Sequence, residues 1–197
     1  MRSMARTLVE TDDRGGFAAV VPAGSVAGWS EPVRLPAIVA EARRFRSGPA
    51  DLRAALCRWE DDLFSEFPAG HELIARGEAE AMIAAIFRAV ARPVPALRLV
   101  PGFDDPRIGG FADVANHLIA IETGFLYRFL VLHECAHLLV PEDRLHGDTF
   151  LHVLTHLYRH FIGIPEMPVR RLLRAHGLPA PAFPAGVCTI HGASAAA

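Results

Sequence analysis

Phe125-Leu126-Tyr127-Arg128-Phe129-Leu130-Val131-Leu132-His133-Glu134-Cys135-Ala136-His137-Leu138-Leu139-Val140 is apolar nearly all round, yet it carries His133, Glu134 and His137 in its second half. A helix without a polar face is normally buried inside its domain. Buried imidazoles and carboxylates cost free energy unless something satisfies them. The spacing suggests what does. Four residues bring a helix round to within about 40° of the starting direction, so both histidine rings can reach one metal ion. Glu134 stands at the edge of the same face, placed to take a proton from a water on that ion. This is the residue set of a zinc hydrolase. At the His and Glu frequencies of this chain, H-E-x-x-H arises by chance roughly 0.03 times, so its position in a buried helix carries as much weight as the motif itself. Cys135 lies about 200° from His133 on the helix and is expected in the core.

Downstream, Pro141 ends the helix and a short loop, Glu142 to Leu145, leads to His146-Gly147-Asp148. A catalytic zinc takes three protein ligands and keeps one position open. His146 is the best third ligand, because a proline stop and a tight loop let the chain bring it back over the first pair. Gly147 would relieve crowding there, and Glu142, Asp143 or Asp148 are alternatives of a type zinc accepts. The next helix runs from about Gly147 to Ile162, with Phe150, Leu154, Leu157 and Phe161 inward and Asp148 in the favourable first turn. His152, His156 and His160 recur beside that stripe. One of them, or Tyr158 or Arg159, is a candidate for steadying an oxyanion. A polar flank is the simpler reading of each. Gly163 and Pro165 end the helix, and a last short one follows from Val169 to His176.

Upstream, Ala96 to Val100 reads as a strand. Gly109 to Val114 and His117 to Glu122 read as an antiparallel hairpin joined at Ala115-Asn116. The doubled glycines Gly109-Gly110 mark a bulge or a close approach, and Asp113 is a candidate to orient a ligand histidine. Before the strands, helical periodicity covers Ala37 to Phe45 and Asp51 to Phe64, with Leu52, Leu56, Trp59 and Leu63 on one stripe. A third helix runs from His71 or Glu78 to Ala91, stopped by Arg92-Pro93. Arg6 to Thr11 and Phe17 to Val21 suit a hairpin around Asp12 to Gly16.

Composition bounds the rest. A chain of 197 residues, 51% apolar and 21% charged, is long enough for one well-cored domain. The expected division is an extension over 1–35, a single domain over 36–177 and a Pro/Ala-rich tail over 178–197. The net charge of −2 offers no electrostatic capture of nucleic acid or an anionic membrane. No apolar run follows the arginines of Met1 to Glu10, and no 18-residue apolar stretch occurs, so neither a secretory leader nor a membrane span is expected. Cys57, Cys135 and Cys188 contain no C-x-x-C pair and suit reduced thiols in a cytoplasm. In the tail, His191 or Cys188 is a candidate to reach the metal.

His133-Glu134-Cys135-Ala136-His137 followed by His146-Gly147-Asp148-Thr149-Phe150 resembles the zincin metallopeptidases. The resemblance is to small bacterial metallohydrolases and SprT-like proteins carrying H-E-x-x-H, a variable spacer and H-G-x-x-F. It spans roughly Ala96 to Ile162. It implies that His133, His137 and His146 hold Zn2+ and that Glu134 is the general base. The spacer is longer than in metzincins, Val140 stands where their pattern has glycine, and no zinc ribbon or DNA-binding tail of the longer SprT-like proteins is matched. The implied fold is α+β and zincin-like: N-terminal helices, a small mostly antiparallel sheet, the H-E-x-x-H helix and a C-terminal closing helix. In resembling enzymes an edge strand, here Gly110 to Val114, holds an extended peptide. The implied activity is that of a zinc metallopeptidase acting on a peptide or protein. The alternatives are a degenerate zincin used as a binding or regulatory module, for which an intact Glu134 has no use, and a non-peptide zinc hydrolase.

Overall fold

The computed structural model describes residues 39, 52–104, 108–142 and 146–180. The expected N-terminal hairpin, the helix over Ala37 to Phe45 apart from helical, buried Val39, the tail beyond 180 and Asp143 lie outside these residues. The described chain is α+β. Its elements are α1 (Arg53–Glu66), a 3-10 turn (Pro68–His71), α2 (Arg76–Ala89), β1 (Ala96–Val100), β2 (Gly110–Asp113), β3 (Leu118–Glu122), α3 (Arg128–Leu139), α4 (Asp148–Phe161) and α5 (Glu166–Ala175).

The sheet corrects one expectation. Its order is β1-β3-β2, with β2 antiparallel to β3 but β1 parallel to it. It is therefore mixed, where a mostly antiparallel sheet was expected. The reason is topological: two reversals between β1 and β3 restore the chain direction, and β2 lies outside β3 instead of between the two. Among the described residues β2 is thus an edge. Ile119 and Ile121 of β3 are fully buried, as befits the central strand.

α3 is the centre of the packing, in contact with β2, β3, α2, α4 and the 3-10 turn. It starts at Arg128, three residues after the apolar run begins, because the preceding residues are held extended. Leu73 and Tyr127 form an isolated bridge, with Ile74 N donating to Leu126 O at 3.0 Å and Arg128 N to Glu72 O at 3.1 Å. A cation in the first turn opposes the helix dipole. Glu78 answers the Arg128 guanidinium at 2.7 Å and Glu72 lies 3.6 Å away. At the other end no glycine closes the helix. Arg92 reaches across from the α2–β1 connection and donates through Nη1 to Leu138 O and Leu139 O at 3.1 and 2.9 Å. It satisfies carbonyls that every helix end leaves open and complements the negative pole.

α4 packs against α3, and Phe150, Leu154 and Leu157 are fully buried as expected. The helix is more enclosed than a polar flank permits, since His152, His156 and Arg159 are buried too. α5 begins at Glu166, earlier than its apolar pattern, because Pro165 and Pro168 are tolerated in a first turn. An ion pair ties α5 to α1, Arg171 with Glu66 at 2.6 Å, and the ring of His176, which follows α5, hydrogen-bonds Asp62 at 2.8 Å.

Candidate metal centre

His133 and His137 lie one turn apart on α3, and His146 stands two residues before α4. One ligand nitrogen from each lies within 4.8 Å of the other two. That is close to the spacing a single ion with nitrogen ligands about 2 Å away requires. His146 reaches this position through a left-handed backbone, φ 57°, which non-glycine residues adopt sparingly and most often at functional sites. Gly147 beside it is extended, with φ −71° and ψ −168°, as the N-cap residue of α4. Glu142 and Asp148, the alternative ligands, are not in the cluster.

Phe150 is the floor of the triad. It is fully buried, and its ring centroid lies 5.1, 4.3 and 4.9 Å from those of His133, His137 and His146. One apolar ring at the fourth residue after His146 thus fixes the orientation of all three imidazoles from below.

Glu60 of α1, 73 residues before His133, orients the first imidazole of the group. The His133 Nδ1–H donates to Glu60 Oε1 at 3.0 Å, which leaves Nε2 as the atom that could take a metal. The Tyr158 hydroxyl donates to the same oxygen. Burial and the Glu60 charge hold the Tyr158 pKa well above its ordinary value, so the phenol stays a donor. Burial alone would lower the His133 pKa, but the charge and hydrogen bond of Glu60 more than reverse this and the net shift is upward. His137 behaves oppositely. Burial, with His133 and His146 alongside, pushes it down to about 2, so it is a neutral imidazole, the form that binds metal, at any ordinary pH.

Glu134 is buried beside this group, and burial is the main cause that raises its carboxyl to about 7. An ion on the neighbouring imidazoles would draw that value back down. The carboxylate is seated against β2. A Cβ on Gly110 would lie 3.0 Å from Glu134 Oε1 and 3.1 Å from Leu130 Cδ1, so the glycine marks a close approach of strand and helix. Glu122 N donates to Gly109 O at 2.9 Å. Alternation along the antiparallel pair then turns the main-chain groups of Gly110 and Ala112 outward, away from β3. The Ala112 N–H bonds Glu134. The Gly110 N–H and C=O and the Ala112 C=O face the open edge.

These groups line one cleft of ≈ 1030 Å³, together with β2 and its flanks and with Tyr127, Phe129 and Leu130. The proposed oxyanion candidates of α4 are not among its lining. Tyr158 is committed to Glu60, and Asp113 bonds Asn116 at 2.7 Å instead of a ligand histidine. Cys135 is buried in the core, and burial raises its thiol pKa well above the ordinary value. His117 adopts φ 52° and bonds Pro93 O at 2.8 Å, away from the cleft. Cys188 and His191 lie outside the described residues.

Glu60 and Arg92 are the residues whose roles the sequence did not disclose, whereas the doubled glycines already offered a close approach as one reading of Gly110. A signal for Glu60 was present: it sits four residues after Leu56 and three before Leu63, on the inward face of α1. An acid there needs a buried partner. No family model, curated protein or solved structure matches this chain.

Proposed function

We propose that this chain is a zinc-dependent hydrolase, a metallopeptidase acting on peptide or amide bonds of a peptide or protein. The observation that carries the reading is the convergence of His133, His137 and His146 beside buried Glu134, in a cleft bordered by an edge strand. The donor set fits. Three imidazoles, one fixed by a buried carboxylate and one held neutral, form the open coordination site that catalytic zinc uses. Bound there, zinc would lower the pKa of a water and polarise the substrate carbonyl.

The remaining work falls to the chain. The outward groups of Gly110 and Ala112 pair with an extended substrate and lay its backbone along β2. Glu134, held by the Ala112 N–H, takes the proton of the attacking water and returns it to the leaving amine. Phe150 and Glu60 keep the imidazoles in place while this happens. Among the described residues no helix is long and apolar enough to cross a membrane. Cys57 and Cys135 are free thiols, which suits the reducing cytoplasm we assign it to.

The test pairs metal analysis with turnover. One zinc per chain is expected, retained in Glu134→Gln, while cleavage of a peptide library falls by about 10²-fold or more. Equal activity in Glu134→Gln would remove the base. Unchanged zinc affinity in His146→Ala would remove the third ligand.

A further inference from the structure

The wall of the cleft that adjoins the start of β2 is aromatic. Phe125 meets Tyr127 edge-on at 6.1 Å, Tyr127 stacks on Phe129 at 6.0 Å, and Phe129 meets His71 at 4.9 Å. The order follows from the chain. Tyr127 is extended as the N-cap residue of α3 and is pinned by its bridge to Leu73, Tyr127 N donates back to Phe125 O at 2.6 Å across a tight turn at Leu126, and Phe129 lies in the first helical turn. Leu130 continues this surface inward. It lies one turn before Glu134 and in contact distance of the Cβ positions of Gly109 and Gly110, at 3.4 and 3.1 Å. Phe125 lies 3.4 Å from the Gly109 position. Apolar surface therefore runs unbroken from the mouth of the cleft to the Glu134 carboxylate.

Two large side chains at this mouth, Phe111 and Phe125, are 53% and 45% exposed. The charged residues in the lining away from the centre, Arg53 and Asp61, are both on α1, with none on the aromatic wall. A charged substrate side chain laid on that wall would lose its hydration with nothing to pair with. An aromatic or branched one gains burial and ring stacking.

We propose that this wall is the specificity subsite: an extended peptide on β2 presents a large apolar or aromatic side chain to Phe125, Tyr127 and Phe129, next to the bond that is cut. This rests on the hydrolase reading, and the test separates the two. Blocked octapeptides identical except for the residues flanking the central bond, in turn Phe, Leu, Ala, Ser and Asp, are offered to zinc-loaded protein. Binding is measured on Glu134→Gln and kcat/KM on wild type. Phe or Leu on one side of the bond is expected to raise kcat/KM about tenfold or more over Ser and Asp, with the same order in binding. Phe125→Ser, with zinc content and melting temperature kept, is expected to cut that preference about threefold or more. Tyr127→Ser carries the same test if Phe125→Ser melts early. Cleavage with no apolar preference, or a preference untouched by both variants, overturns the subsite and leaves the hydrolase reading. Graded apolar binding without cleavage overturns the hydrolase reading and supports recognition by the wall. Neither binding nor cleavage overturns both.

Discussion

Replacing Glu60 by Gln tests whether the metal centre depends on a helix that carries none of its ligands. The carboxylate accepts from His133 Nδ1 at 3.0 Å and from the Tyr158 hydroxyl, and Glu60 is only 7% exposed. Glutamine keeps the shape and one accepting oxygen but removes the charge that strengthens the bond to a ligand imidazole. Loss of such a partner typically weakens metal binding by about 10- to 100-fold, or about 1.4–2.7 kcal/mol. Competition for zinc against a chromophoric chelator reads this directly. Tyr158→Phe is the control. It leaves the carboxylate on His133 but one donor short in a buried place, at a cost of about 1–2 kcal/mol in unfolding free energy, with a smaller effect on zinc. Zinc affinity in Glu60→Gln within twofold of wild type, in a protein of normal melting temperature, would refute the claim that Glu60 orients a ligand.

In Gly110→Ala the new Cβ meets Glu134 Oε1 at 3.0 Å and Leu130 Cδ1 at 3.1 Å. Because this glycine has no left-handed φ, the effect is steric: kcat/KM is expected to fall about tenfold or more with zinc retained, and unchanged turnover would mean that Glu134 needs no such seat. Arg92→Ala removes both bonds to the last carbonyls of α3. A loss of about 1–3 kcal/mol in urea unfolding is expected, and a change within error would show that water caps this end equally well. Burial, with Arg159, His160 and His152 nearby, lowers the His156 pKa to about 3. Above pH 6.5 the ring is neutral folded or unfolded and adds nothing. Below it the unfolded chain takes up a proton that the folded chain refuses, so stability falls as pH falls towards 3. Between pH 6.5 and 5, His156→Phe should lose about 1–2 kcal/mol less than wild type; parallel pH curves would place His156 in solvent.

Local periodicity and short motifs made much of this legible. β1 lies on the residues its β-branched and apolar content predicts, and α1, α4 and the β2–β3 hairpin begin and end within a few residues of their sequence signals. The three histidines come together because each stands at a point the local pattern fixes: two on one face of a helix, one after a proline stop. The parallel pairing of β1 with β3 was not legible, since strand order depends on which edge is free when the hairpin docks and no residue of β1 records that. The enclosure of His152 and His156 was hidden for a similar reason. Their positions beside an apolar stripe are the same whether the flank meets water or protein.

Glu60, Arg92 and Tyr158 were obscured differently, because each acts through a partner 46 to 98 residues away. In the sequence Glu60 stands beside Trp59 as one more charge on an amphipathic helix, and Tyr158 as one more ring. In the fold Trp59 stacks on Tyr158 at 5.9 Å, and the phenol and His133 meet on one carboxylate. The bond that orients the ligand is therefore also a bond between α1, α3 and α4 at the heart of the core. On the hydrolase reading, metal binding and the docking of α1 would be linked: whatever loosens α1 would lower zinc affinity, and by reciprocity a bound zinc would stabilise the packing of a helix that supplies none of its ligands.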